Sequence, residues 1–211
     1  MKRIGNLFEK VISIDNLEKA DKTARKGKLR QRGVINHISN ERENIEKLHL
    51  LLKNQEYKTS EYITFKIFDG KERDIFKLPY FPDRIVHHAI MNVLEPILVS
   101  VFTCDTYSCI KGRGIHRASY NLRWALKDIN GTKFCLKLDV KKFYPSIDNA
   151  ILKQLLRKKL KDQRLLELLD EIIDSASGLP IGSYLSQHLA NFYLSYFDHY
   201  VKEVLRVKYY F

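Results

Sequence analysis

The sequence predicts an α+β fold, helix-rich, with one β-hairpin and a small antiparallel sheet. Three observations carry this. Long stretches place apolar residues three and four positions apart, the pattern of amphipathic helices. Two strand-like runs, 62–68 and 73–78, flank Asp69-Gly70, a strong two-residue turn signal. A third run, 133–140, alternates with the period of a strand. With 211 residues, 45% of them hydrophobic, the chain can close a packed core. No repeat, low-complexity tract or Pro/Gly-rich linker divides it, so a single domain is expected.

The elements follow in order. Residues 15–26 read as a short basic helix, and the loop 27–33 continues the basic run. There Lys22, Arg25, Lys26, Lys28, Arg30 and Arg32 face one acid, Asp21. Ser39 is placed to cap a second helix, whose apolar positions Ile45, Leu48, Leu51 and Leu52 keep a helical period. After the hairpin, Phe81-Pro82-Asp83-Arg84 leads into a helix with Ile85, Ala89, Val93 and Leu94. His87 and His88 are adjacent, point in different directions, and read as packing or surface residues. A helix over about 115–129 closes at Asn130-Gly131.

In the 133–140 run, Phe134, Leu136 and Leu138 share one face, expected to pack on helices. Cys135, Lys137 and Asp139 share the other, expected to open to a cleft. Two amphipathic helices come next. Ile147, Ile151, Leu152, Leu155, Leu156 and Leu160 line the first; Leu165, Leu166, Leu169, Ile172 and Ile173 line the second. Gly182 or Ser183 starts a long helix through about Leu205, and a final strand is expected near Lys208.

The formal net charge of +12 favours a polyanionic partner, because basic side chains displace condensed counterions from phosphates. The three cysteines, Cys104, Cys109 and Cys135, form no C-x-x-C pair, which fits a reducing, cytoplasmic setting. Cys104, Cys109 and His116 match no zinc spacing. No stretch approaches the ~18 apolar residues of a membrane span, and no signal peptide is evident.

Asp139 closes the alternating run. A carboxylate at a strand end suits a hard divalent cation, with the Val140 carbonyl placed to assist, although an Asp there also serves as a turn former or helix cap. Nucleotide addition to a 3′ hydroxyl uses two such ions, and magnesium is expected. Tyr144 follows five residues later. Its ring either fills core or sits beneath a sugar, where it would clash with a 2′-OH. Pairing around a 69–70 turn sets Lys66 directly opposite Arg73, ~5 Å apart on one face. Two like charges so placed call for an anion such as a triphosphate, or else a solvated, flexible hairpin. Gly178-Leu179-Pro180 and Gly182 suit close backbone approach to a nucleotide, and the helix starting near Ser183 offers free N–H groups. Asp148 reads as a helix cap.

Taken together, these segments resemble bacterial reverse transcriptases of the group II intron, retron and diversity-generating retroelement lineage. The likeness runs from Ala24-Arg25-Lys26-Gly27-Lys28 through Phe65-Lys66-Ile67, Leu78-Pro79-Tyr80-Phe81-Pro82-Asp83-Arg84 and Tyr107-Ser108-Cys109-Ile110-Lys111-Gly112-Arg113-Gly114 to the Asp139 segment. It implies a right-hand polymerase fold in a single domain over 1–211, mainly fingers over about 1–132, mainly palm with interleaved fingers helices over about 133–211, and no thumb. It implies an RNA-directed DNA polymerase with Asp139 as catalytic and metal-binding carboxylate, Val140 as a second magnesium ligand, and Lys66 and Arg73 on the triphosphate. Tyr144, Ile181, Gly182 and Gln187 would line the nucleotide site. Template RNA, cDNA primer and deoxynucleoside triphosphates would be its ligands, with a small basic oligomeric protein as accessory.

Most such enzymes carry Gln-Gly-x-x-x-Ser-Pro where this chain has Ile181-Gly182-Ser183-Tyr184-Leu185-Ser186-Gln187. This version looks like the diversity-generating retroelement enzymes, which copy template RNA with errors at adenines. Ile181 offers only apolar contact where a Gln amide would offer a donor and an acceptor. In the family the palm continues into a Tyr-x-Asp-Asp turn, so the resemblance implies a chain truncated ahead of that motif and inactive by itself. Two alternatives stay open: a non-catalytic nucleic-acid-binding protein on the same scaffold, and a group II intron or retron enzyme.

Overall fold

Helix α5 (Ile85–Val99) forms the centre, because its sequence is apolar on nearly every side. Ile85, Val86, Ala89, Ile90, Met91, Leu94 and Leu98 are all buried. The computed structural model describes every residue except Met1, Lys2, Asp69 and Lys71. On one flank α5 carries α1 (Phe8–Ile12) and α2 (Ile14–Ala24). The α2 stripe of Leu17, Ala20, Asp21 and Ala24 recurs at three- and four-residue steps and is buried throughout. Helices α3 (Arg32–Ile38) and α4 (Glu41–Lys53) close that side, α4 through Ile45, Leu48 and Leu52. On the other flank lies α9 (Tyr184–His199), with Leu185, Leu189 and Phe192 inward. Helices α7 (Asn149–Lys159) and α8 (Gln163–Asp174) pack as a pair beside it. Truncating any of the fully buried aliphatic side chains of this core to Ala costs ~2–5 kcal/mol.

The one acid of the basic N-terminal segment is buried. Asp21 accepts from the Tyr80 hydroxyl and meets His37 Nε2 and Arg25, each at 3.2 Å. Arg25 also grips Glu41 with both terminal nitrogens, at 3.0 and 3.1 Å. Burial opposes charge on Asp21, yet the bonds from His37 and Tyr80 and the nearby Arg25 cation hold its pKa below the ordinary carboxylate value. The network pins α2, α3 and α4 to the turn before α5.

Several sequence expectations change. Ser39 caps nothing ahead of α4; it ends α3, and its hydroxyl bonds back to the Ile35 carbonyl at 3.2 Å. Part of the predicted 27–33 loop belongs to α3. Asp148 is a cap, accepting from Ile151 N–H at 3.0 Å, and Ile151 itself is 44% exposed rather than inward. Helix α6 (Ile115–Ala125) stops short of 129 and buries only Ala125.

The sheet differs most. Among the described residues only β1 (Ile63–Phe68) and β2 (Glu72–Lys77) form a ladder. The predicted strand 133–140 is extended but unpaired, and no strand forms near Lys208. Phe134, Leu136 and Leu138, expected against helices, are 95%, 82% and 70% exposed. Alternation sets which side chains share a face, but a strand exists only where another backbone takes up its N–H and C=O groups.

Candidate nucleotide-binding site

The best-built part of the site is the turn 178–183, which ties three elements together. Gly178 has φ +71, and a Cβ there would lie 2.6 Å from the Tyr144 carbonyl oxygen. Only glycine fits, and the close approach lets Leu179 N–H donate to that same oxygen at 3.0 Å. Farther along, the Ile181 carbonyl accepts from Phe76 N–H at 2.9 Å, joining the turn to the free edge of β2. Gly182, at φ +120, passes so near that a Cβ would sit 3.0 Å from the Phe76 carbonyl oxygen. Ser183 then begins α9, but its hydroxyl makes no cap bond. It bonds to His87 Nδ1 at 3.0 Å instead, tying the turn to α5.

Tyr144 opens a short 3-10 turn, Tyr144–Ser146, and is half-buried beside Phe143. Burial raises its hydroxyl pKa, so the phenol stays neutral. The structure thus brings Tyr144, Ile181 and Gly182 onto one connected piece of backbone. Gln187 is half-buried on the first turn of α9, and its side chain has no hydrogen-bond partner among the described residues. Asp139 and Val140 lie on the open extended segment. Both are exposed, and no hydrogen bond or ion pair ties the Asp139 carboxylate to any described residue.

The facing Lys66–Arg73 pair is corrected. Phe68 pairs with Glu72, which leaves three residues between the strands rather than two. Asp69 and Lys71, on which the expected turn rests, lie outside the described residues. The extra residue moves every partner by one. Lys66 falls opposite Asp74, and Arg73 opposite Ile67. A one-residue shift also flips faces, so Lys66 and Arg73 point to opposite sides of the hairpin. Lys66 makes an ion pair with Glu72.

Among the described residues no three His, Cys, Asp or Glu side chains converge on a common point. Asp139 and the Val140 carbonyl are hard-oxygen donors of the kind magnesium prefers, but this donor set does not make up a two-ion centre. Cys104, Cys109 and Cys135 are exposed free thiols.

Sequence reasoning missed a second feature beside the turn. A cavity of about 300 Å³ is lined by Lys28, Arg84, His87, His88, Ser183 and Tyr184, among others. The signal was present in the basic run and the His87-His88 pair, but periodicity alone cannot show that distant segments meet. Burial pushes His87 down to about 4, so the ring is neutral near pH 7. Burial also lowers Lys28 and His88, and mutual repulsion with Arg84 adds to it.

The fold is one already seen in larger assemblies. Chains of the Cas6-RT-Cas1–Cas2 complex, one of them in a partial form, superpose on 93% of this chain with a TM-score of 0.50 and 23% identity. The superposed part makes up 35% of one of those chains and 22% of the other. This defines the class by fold alone: a helix-rich α+β domain. In sequence the chain is similar to intron-encoded proteins and intron maturases, over part of their length. The chain is 27% identical over 138 residues to the group II intron-encoded protein LtrA of Lactococcus lactis subsp. cremoris. It is 30% identical over 144 residues to nuclear intron maturase 4, mitochondrial, of Arabidopsis thaliana, and 27% over 148 residues to protein YkfC of Escherichia coli (strain K12). These alignments take in 60%, 61% and 64% of this chain but 22%, 17% and 39% of the relatives' lengths. No family model matches the sequence. None of the chain's helices is long and apolar enough to cross a membrane, among the described residues.

Proposed function

We propose that the chain supplies the fingers (about 1–132) and part of the palm (about 133–211) of an RNA-directed DNA polymerase. The observation that carries this reading is the turn 178–183. It bonds at one end to Tyr144 and at the other to the hairpin edge. Such an enzyme must bring a sugar-sensing ring and a fingers hairpin against one nucleotide, and a backbone turn bonded to both Tyr144 and the hairpin edge supports that reading. Tyr144, Ile181, Gly182 and Gln187 would surround the nucleotide, and Asp139 with Val140 would offer the magnesium ligands present in this chain. The reading does not depend on a facing Lys66–Arg73 pair; for these two the family resemblance is the remaining support. By themselves the 211 residues would not polymerise, since their acidic side chains form no cluster among the described residues.

The test is primer extension on an RNA template by the protein that carries this chain, with magnesium and deoxynucleoside triphosphates. Asp139→Asn should cut incorporation by about 10²–10³-fold, the scale of losing one transition-state electrostatic group, without changing RNA affinity. Full activity in the variant refutes the role given to Asp139, and robust extension by the 211 residues alone refutes their inactivity. A protein that binds RNA yet never extends a primer would instead support the non-catalytic reading.

Within this class we propose the diversity-generating retroelement type, on the strength of Ile181 through Gln187. Removing amide recognition at 181 leaves fewer buried polar groups to protest a mismatch. Ile181→Gln should therefore lower misincorporation opposite template adenines, read by sequencing the cDNA. An unchanged error rate would leave the group II intron type, which the curated relatives favour.

A further inference from the structure

Two cavities of similar size differ in one respect. The first, about 370 Å³, lies between the N-terminal helices and α8, and its cations are matched: Lys58 meets Glu171 at 2.7 Å, and Arg164 meets Glu9 at 2.6 Å. The second, at the Gly182–Ser183 end of the turn, holds Lys28 and Arg84, both half-buried. Neither has an acidic partner among the described residues. Half-buried cations without counter-ions repel one another, and the fold gains nothing from collecting them. His87 also lines this cavity. It is 5% exposed, and its Nε2 is buried without a hydrogen-bond partner while Nδ1 engages Ser183. Beside it the His88 and Tyr184 rings stack, 5.6 Å between centroids and 19° apart in plane.

We propose that this cavity is a phosphate subsite for single-stranded RNA. Lys28 and Arg84 would neutralise one phosphodiester, and the His88–Tyr184 stack would present a flat face to the adjoining base. The cavity lies at the opposite end of the turn from the Tyr144 contact, and no residue of 139–144 lines it. Gly182 borders both this cavity and the nucleotide site, so the phosphate bound here would belong to a strand that passes next to the nucleotide Tyr144 would sense. The phosphate chemistry stands on the cavity; that the strand is the template rests on the polymerase reading.

The measurement is fluorescence anisotropy of a labelled, unstructured RNA oligonucleotide on the purified protein, titrated with salt. Lys28→Gln and Arg84→Gln should each flatten the log K against log salt slope by about 0.7 and weaken binding about fivefold at ~0.1 M salt. Arg42→Gln, on the exposed face of α4 beside Glu46, should change neither. Thermal unfolding should show both cavity variants as stable as the parent or more so, because a repulsion has been removed. Wild-type affinity and slope in both variants would overturn the proposal. So would an equal loss in Arg42→Gln, which would mean generic surface charge. A deoxynucleoside triphosphate that displaces the RNA only when Arg84 is present would reassign the pocket to free nucleotide. Failure of primer extension with Arg84-dependent RNA binding intact would sink the polymerase reading and leave this one standing.

Discussion

The turn 178–183 and the segment 133–140 carry the two sequence patterns that point to nucleotide chemistry, and they are built in opposite ways. The turn is fixed by short backbone contacts on both sides and needs glycine at 178 and 182. The segment carries Asp139 on backbone that no other strand pairs, with apolar side chains facing out. A local signal succeeds where its physics is local. Glycine turns are set by φ and by approach distance. Alternation promises a strand only if a neighbouring edge arrives.

The most severe way to break this contrast is at Gly178. Gly178→Ala adds left-handed backbone strain and overpacking against the Tyr144 carbonyl, ~2–4 kcal/mol together. A loss of roughly 5–15 °C in Tm is expected for a chain of this length. A neutral result would mean that the turn and the Tyr144 loop are not held together in solution. Asp148 marks where the open stretch gives way to packed helix. Asp148→Ala should cost ~1 kcal/mol through loss of the α7 cap, read by denaturant unfolding. No change would show that α7 is held by packing alone. The smallest effect is expected at Leu136. Leu136→Asp should alter stability by no more than ~0.5 kcal/mol, since a side chain that buries nothing loses nothing. A cost above ~1 kcal/mol would show this face covered, and the contrast with the turn would disappear.

Much of the helical body was legible in the residues. The stripes of α4, α5 and α8 were read correctly because a helix satisfies its own backbone and declares its buried face by spacing. The cap at Asp148 was legible because the first N–H groups of a helix need an outside acceptor, which an Asp just before it supplies. The hairpin's existence was legible, but not its register. One additional loop residue, invisible to the Asp69-Gly70 signal, moved Lys66 opposite Asp74. The cavity was not legible as a site, because Lys28, the Arg84–His87 stretch and Ser183 come from three separate parts of the chain.

By itself the sequence determined the helix-rich α+β class, the placement of the amphipathic helices, the glycine turn before α9 and the basic character of the chain. These follow from spacing, backbone permissiveness and charge, none of which needs a distant partner. Tertiary structure decided the hairpin faces, the openness of 133–140, and the meeting of unpaired cations beside His87. Each of these depends on which segments come into contact, and contacts between residues far apart in the chain are set by packing rather than by local pattern.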